Sequence, residues 1–313
     1  MTRELKVLRM QMLFGVLASG ALIMVMLQAS KITLDWGSLL SPAGSLALLV
    51  FAAIVCRRRG FEKSSLIMEV LAGGVAFSIL VLLSTYLVIS LNTPTADASL
   101  IALDQWMGFD GVAFIRLVDG MPWLSWALMH AYASFAFQLL LLPMLLILFG
   151  QPSRAFVLVL AYAAVGYIAS VVSIWFPALG SHVVYGIDPS SLSSINAHFG
   201  HAFLSEFHAV REQSEFVFSL DAAQGILTFP SVHAAVALIC AVCAFSVPLL
   251  RYPFLALNIL MAASTLTHGG HYIVDTLAGM GVAALALYCA FALSRVPAYQ
   301  GVAWAGVRGE RRA

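Results

Sequence analysis

The chain has 313 residues, of which 61% are hydrophobic and only 10% charged, with a formal net charge of +1. A soluble domain carries about 25% charged residues, so this composition excludes an ordinary soluble core and reads as an integral membrane protein. A balance this close to neutral gives no general attraction for nucleic acid, and the few charges inform by their positions instead.

In chain order, the first apolar run follows Arg3, Lys6 and Arg9. It is long enough to span, and its end, LQASKIT, is a poor cleavage site, so it reads as an uncleaved first span rather than a signal peptide. Further runs give eight predicted spans, near 10–29, 38–56, 65–91, 123–149, 155–177, 229–249, 252–268 and 271–295. Glu69 falls near the start of the third and Pro143 within the fourth, where it predicts a kink. The fold class is therefore an all-α polytopic membrane helix bundle.

With eight spans, Arg3, Lys6, Arg9, Arg57, Arg58, Arg59, Lys63, Arg154, Arg251, Arg308, Arg311 and Arg312 all fall on one side. The other side has only Lys31, Arg116 and Arg211. Basic residues mark the cytoplasmic face, which places both termini inside. Two outer segments are long. Residues 93–122 carry Asp97, Asp104, Asp110 and Asp119, and residues 179–228 open a predicted helix at Asp188-Pro189. Ile195, Phe199, Phe203 and Phe207 then recur every fourth residue, which suits a helix lying along the outer interface, as a packed lid or as a gate for lipids. The C-x-x-C of Cys240 and Cys243 lies mid-helix and reads as membrane packing.

All eight histidines fall on the outer side or in the outer part of a span. The H-x-x-H at 198–201 lacks a carboxylate at ligand spacing, so no metal site is predicted. In FPSVHAA, Thr228 or Phe229 would cap a helix whose first residue is Pro230. The amides of Ser231, Val232 and His233 would then be free, which makes an anion site with a hydroxyl and an imidazole beside it. In HGGHYIVD, the glycines permit a tight reversal, and His271 and Asp275 share one helical face a turn apart. A carboxylate beside an imidazole sets its tautomer and favours its charged form. Either stretch alone could be a capped helix with a structural histidine. At one membrane depth, the two together suit phosphoryl transfer through a phosphohistidine.

PSVH at 230–233 and HYIVD at 271–275 resemble the second and third signature motifs of the type-2 phosphatidic acid phosphatase superfamily. FPSVHA and HYIVD look closer still to its branch of inositol phosphorylceramide synthases and sphingomyelin synthases, in which a tyrosine follows the third-motif histidine. The resemblance implies His271 as nucleophile, Asp275 as its orienting partner, His233 as the acid and base, and Ser231 in the phosphate cradle, with no metal or other cofactor. Val232 replaces the usual glycine, Ser264-Thr265 replaces a Ser-Arg pair, and the first motif has no outer match. Arg211 and His268, with Arg116 behind them, are then the outer groups left to hold a phosphate. The resemblance also implies two additional N-terminal spans over residues 1–64. A six-span catalytic core follows over 65–300, with outer interfacial helices at 97–122 and 183–226, and a basic cytoplasmic tail over 301–313.

The reading that follows is a lipid phosphotransferase or phosphatase of the outer leaflet, its site facing the periplasm or a lumen. Its partners are a phospholipid donor and a lipid or polyol acceptor, with head-group transfer favoured. The alternative in the same superfamily is a lipid phosphate or prenyl diphosphate phosphatase. A proton-coupled transporter or a silent membrane scaffold are the rivals of another class. Against the transporter, the polar groups lie at helix mouths and not at the midplane.

Overall fold

The computed structural model describes residues 2–296, of which about three quarters are helical and almost none lie in strands. The basic tail expected at 301–313 lies outside the described residues. Two long helices come first, α1 (Arg3–Gln28) and α2 (Trp36–Arg58), with the strand β1 (Ile32–Leu34) between them. Helix α3 (Glu62–Ile89) is followed by the short outer helices α4 (Asp97–Trp106) and α5 (Gly111–Asp119). Then come α6 (Pro122–Ala133), α7 (Phe135–Leu148) and α8 (Pro152–Val172). An outer segment holds α9 (Ser181–Val184), α10 (His198–His201), α11 (Leu204–Glu212) and the strand β2 (Phe216–Phe218). The chain closes with α12 (Val232–Ala244), α13 (Pro248–Thr267) and α14 (Ile273–Ser294).

Among the described residues, six helices are individually long and apolar enough to cross a membrane: α1, α2, α3, α8, α13 and α14. Seven result if the bent pair α5 and α6 is one span, although those helices meet at 110°. The two other expected spans take a different form. The run at 123–149 is split at Ser134 into α6 and α7, and the Ser134 hydroxyl donates to the Ala131 carbonyl at 2.6 Å. Helix α12 has 13 residues, roughly 20 Å at 1.5 Å per residue, which is short of a hydrocarbon core of about 30 Å. Arg9, Arg57 and Glu69 meet at one end of the bundle, where Lys63 also donates to Leu148 and Arg154 lies over Phe291. The starts of α12 and α14 lie at the other.

Helices α3, α8 and α12 carry most of the buried core, in which Val70, Phe77, Phe156, Leu158, Val236 and Ile239 are closed off. Lipid is as apolar as leucine, so close packing and interhelical hydrogen bonds hold such a bundle together. Ser84 meets Ser170 at 2.8 Å between α3 and α8, and Asn258 donates to Gln138 at 2.8 Å between α13 and α7.

Over the end at which α12 and α14 start lies a cap that the periodicity did not reveal. Strands β1 and β2 pair in parallel, Ile32 opposite Phe216, and join the α1–α2 loop to the segment between α11 and α12. The helix expected from Asp188 stops as a 3₁₀ turn over Pro189–Ser191. The amides of Ser193, Ser194 and Ile195 are taken by the Asp119 carboxylate of α5 at 2.7–2.9 Å, so they are not available to continue a helix. The phenylalanine stripe is therefore divided between α10 and α11. Phe207 is buried with Tyr86 and Phe218 in a cluster beneath the cap.

Candidate active site

The second-motif stretch starts its helix one step later than the residues suggest. Helix α12 opens at Val232, and Ser231 is the N-cap, its Oγ accepting from Ala234 N at 3.4 Å. Pro230 thus precedes the helix instead of starting it, because Ser231 is held extended by a cross-helix bond. Its amide donates to the backbone carbonyl of Asp275 at 3.1 Å. The amides of Val232 and His233 remain in the first turn, ahead of the intrahelical ladder.

The third-motif stretch shows a similar displacement. Helix α14 begins at Ile273 with Tyr272 as N-cap, so His271 stands just outside the helix and does not open it. Asp275 is the third helical residue. Its Oδ2 accepts from the Tyr272 amide at 3.0 Å and meets His271 Nδ1 at 3.3 Å. A carboxylate at Nδ1 leaves Nε2 as the reactive nitrogen of the ring. His271 is placed from the other side too. Its amide donates to the Thr265 carbonyl at 3.0 Å, and its carbonyl accepts from Ser181 Oγ at 3.2 Å.

Two aspartates of α4 complete this end of α14, and neither belongs to a motif. Asp104 accepts from the amides of Ile273 and Val274 at 3.0 and 3.1 Å. Asp97 accepts from the Tyr272 hydroxyl at 3.0 Å and from the amides of Leu179 and Gly180. Both carboxylates are buried, and burial pushes the Asp104 carboxyl up against the two amide bonds that lower it. Their seven-residue spacing puts both on one face of a helix, a signal readable beforehand. What could not be read is that this face meets the start of α14.

His233 and His271 line one cavity of about 650 Å³. The Tyr132 ring joins them. It stacks on His233 with centroids 4.2 Å apart, and its Cε2 and the His271 Cδ2 each lie 2.8 Å from where a Cβ on Gly269 would stand. Only glycine at 269 allows both rings to approach this backbone. Phe135 packs on His233 at 4.3 Å, and Phe199 packs on Tyr132 at 5.1 Å. From this polar end the cavity follows α3 from Thr85 to Val70, roughly 22 Å at 1.5 Å per residue. Its walls there are Leu71, Gly74, Leu82 and Leu139, and among the described residues no lysine or arginine lines it.

The remaining predicted site residues lie elsewhere. Ser231 is fully buried beneath the α12 start and outside the cavity lining. Arg211 is occupied structurally. Its Nη2 donates to the Thr93 carbonyl at 2.8 Å, and its guanidinium lies over Phe207 at 5.0 Å. Arg116 is exposed on α5. His268 is fully buried, with Nδ1 3.0 Å from the Thr267 hydroxyl, and is likewise absent from the lining. Of the expected lid phenylalanines, Phe199 and Phe203 line the cavity and Phe207 does not. His182, packed against Gly200 and Gly270, adds a buried imidazole that burial holds down at about 4, with the neighbouring histidines 201, 268 and 271 contributing.

The geometry therefore offers an imidazole oriented by a carboxylate, a second imidazole lining the same cavity, and the first-turn amides of α12 beside them. Neither a curated protein nor a solved structure matches the chain. A family model described as PAP2 superfamily matches residues 98–289, more than half of the chain and all of the His233, His271 and Asp275 arrangement, and the chain belongs to that superfamily.

Proposed function

We propose that this protein is an integral membrane lipid phosphotransferase that moves a phosphorylated head group from a phospholipid to the hydroxyl of a second lipid or a polyol. The observation that carries this reading is the cavity: His233 and His271 stand at the polar end of a long apolar space that, among the described residues, no lysine or arginine lines. A phosphomonoester dianion buried there would lack a counter-charge, whereas a phosphodiester carries one negative charge and two alkyl arms. Membership of the superfamily supports phosphoester chemistry on a lipid, and the third-motif tyrosine bound to Asp97 supports the branch resembling inositol phosphorylceramide and sphingomyelin synthases.

In this mechanism His271 Nε2 attacks phosphorus, and a P–N bond forms as the bond from phosphorus to the leaving oxygen breaks. His233 gives that oxygen a proton. The acceptor hydroxyl then loses its proton to His233, its oxygen attacks phosphorus, and the P–N bond breaks. Asp275 holds Nδ1–H of His271 and stabilises the charge that the ring carries in the intermediate. The opening amides of α12 face the phosphoryl oxygens. Arg211 and His268 take no part, because they lie outside the cavity lining. The site faces the periplasm or a lumen, and the cation-rich end with both termini is cytoplasmic.

The test is purified protein in lipid, given phospholipid donors with and without ceramide, diacylglycerol or inositol-bearing acceptors. Acceptor-dependent appearance of a head-group-transferred lipid supports the proposal. Release of inorganic phosphate from phosphatidic acid or a prenyl diphosphate, indifferent to any acceptor, decides for the phosphatase.

A further inference from the structure

A second cavity, of about 590 Å³, lies at the opposite end of the bundle from the histidines. Helices α1 and α2 both pack on α3 and leave a cleft between them. At its mouth stand Lys6, Arg9, Arg57 and Glu69. Glu69 is engaged on every side. Arg9 meets it through Nε at 2.6 Å and Nη2 at 2.8 Å, Arg57 bonds it, and the Ser65 hydroxyl donates to it at 3.2 Å. Among the described residues that line the mouth, one carboxylate stands among three cations, and Lys6 and Arg57 face the opening beside the Arg9–Glu69 pair. Beyond the mouth the walls are apolar, with Leu13 and Val16 on one side and Leu46, Val50 and Ile54 on the other. From Arg57 to Leu46 the helix covers roughly 16 Å, about half of a hydrocarbon core of about 30 Å.

We infer that this cleft is a binding site for one anionic glycerophospholipid of the leaflet at the cation-rich face. Its phosphate sits among Lys6, Arg57 and Arg9, and an acyl chain lies along the apolar walls. The cations at the mouth select an anion, and the depth of one leaflet selects a lipid over a free phosphate. The site shares α3 with the histidine cavity but uses another face of it. Glu69, Ala72, Gly73 and Ala76 line the cleft, while Leu71, Gly74, Ser78 and Leu82 line the histidine cavity. It therefore stands apart from the reacting groups.

The experiment is native mass spectrometry of the full-length, delipidated protein titrated with phosphatidylglycerol, with phosphatidylcholine of identical chains, and with glycerol phosphate. Retention of phosphatidylglycerol alone is expected. Each cation near the surface contributes about five-fold in affinity, so K6Q with R57Q weakens retention about 25-fold. Because those changes touch the Glu69 cluster, V50W serves as a second variant. It keeps every charge, fills the apolar wall at a residue that is 46% exposed, and should also abolish retention. Equal retention of both lipids, stabilisation by glycerol phosphate alone, or undiminished retention in either variant overturns the inference.

Discussion

The active site depends on how closely α12 approaches α14, and one glycine sets that distance. A Cβ added at Gly279 would stand 2.1 Å from the Ser231 carbonyl oxygen and 3.0 Å from its carbon. A carbon rests about 3.3 Å or more from a carbonyl oxygen, so G279A requires the two backbones to part by about 1.2 Å. Neither side can yield by rotating a side chain, so the cost belongs at the upper end of the roughly 1–3 kcal/mol typical of overpacking. The displacement also lengthens the Ser231 amide bond to the Asp275 carbonyl, now 3.1 Å, and carries His233 away from His271. A misplacement of about 1 Å costs on the order of 10²-fold in rate. The assay is turnover of the lipid identified by the donor and acceptor panel, together with thermal unfolding in the same detergent. G281A is the control, because its Cβ meets nothing within 4 Å two residues along the same helix. It should leave activity unchanged and stabilise slightly. G279A retaining activity within two-fold of wild type and an unshifted unfolding temperature would refute the reasoning.

H271A should abolish turnover, and H233A should slow it by roughly 10²–10⁴-fold, least with a good leaving group; full activity in H271A sinks the phosphohistidine step. D104A orphans the amides of Ile273 and Val274 at the start of α14. It should cost about 1–3 kcal/mol and lower kcat more than it raises KM; a rise in KM alone would assign Asp104 to substrate binding. Burial holds the folded-state pKa of His182 at about 4, below the ordinary imidazole value of 6.5. The unfolded chain then binds the extra proton, so stability is full above pH 6.5 and falls as pH drops toward 4, by at most roughly 3 kcal/mol. H182Q should flatten that slope in thermal unfolding, and an unchanged slope would assign it to other groups. Single cysteines at Ser190 and Phe61, in a background lacking Cys56 and Cys289, should label with an impermeant reagent from opposite sides of the membrane; labelling from one side would break the proposed orientation.

The membrane class and the pairing of His271 with Asp275 were legible in the residues alone. Each rests on local chemistry: apolar runs long enough to cross a bilayer, and two side chains four residues apart. The motif histidines were legible for the same reason, since each sits in or just before the first turn of a helix. What tertiary structure decided is everything that depends on who lies opposite. Asp97 and Asp104 look like ordinary charges of an outer loop until α4 is laid against the start of α14. Arg211 looks like the obvious phosphate ligand until the Thr93 carbonyl and the Phe207 ring claim it. The helix expected from Asp188 is ended by Asp119, some seventy residues earlier in the chain, and the parallel pair of β1 and β2 joins segments further apart still. Sequence periodicity reports the face a helix will bury. Which backbone group, carboxylate or glycine meets that face is a long-range property, and here it determines the cavity, its apolar walls and the approach of one histidine to the other.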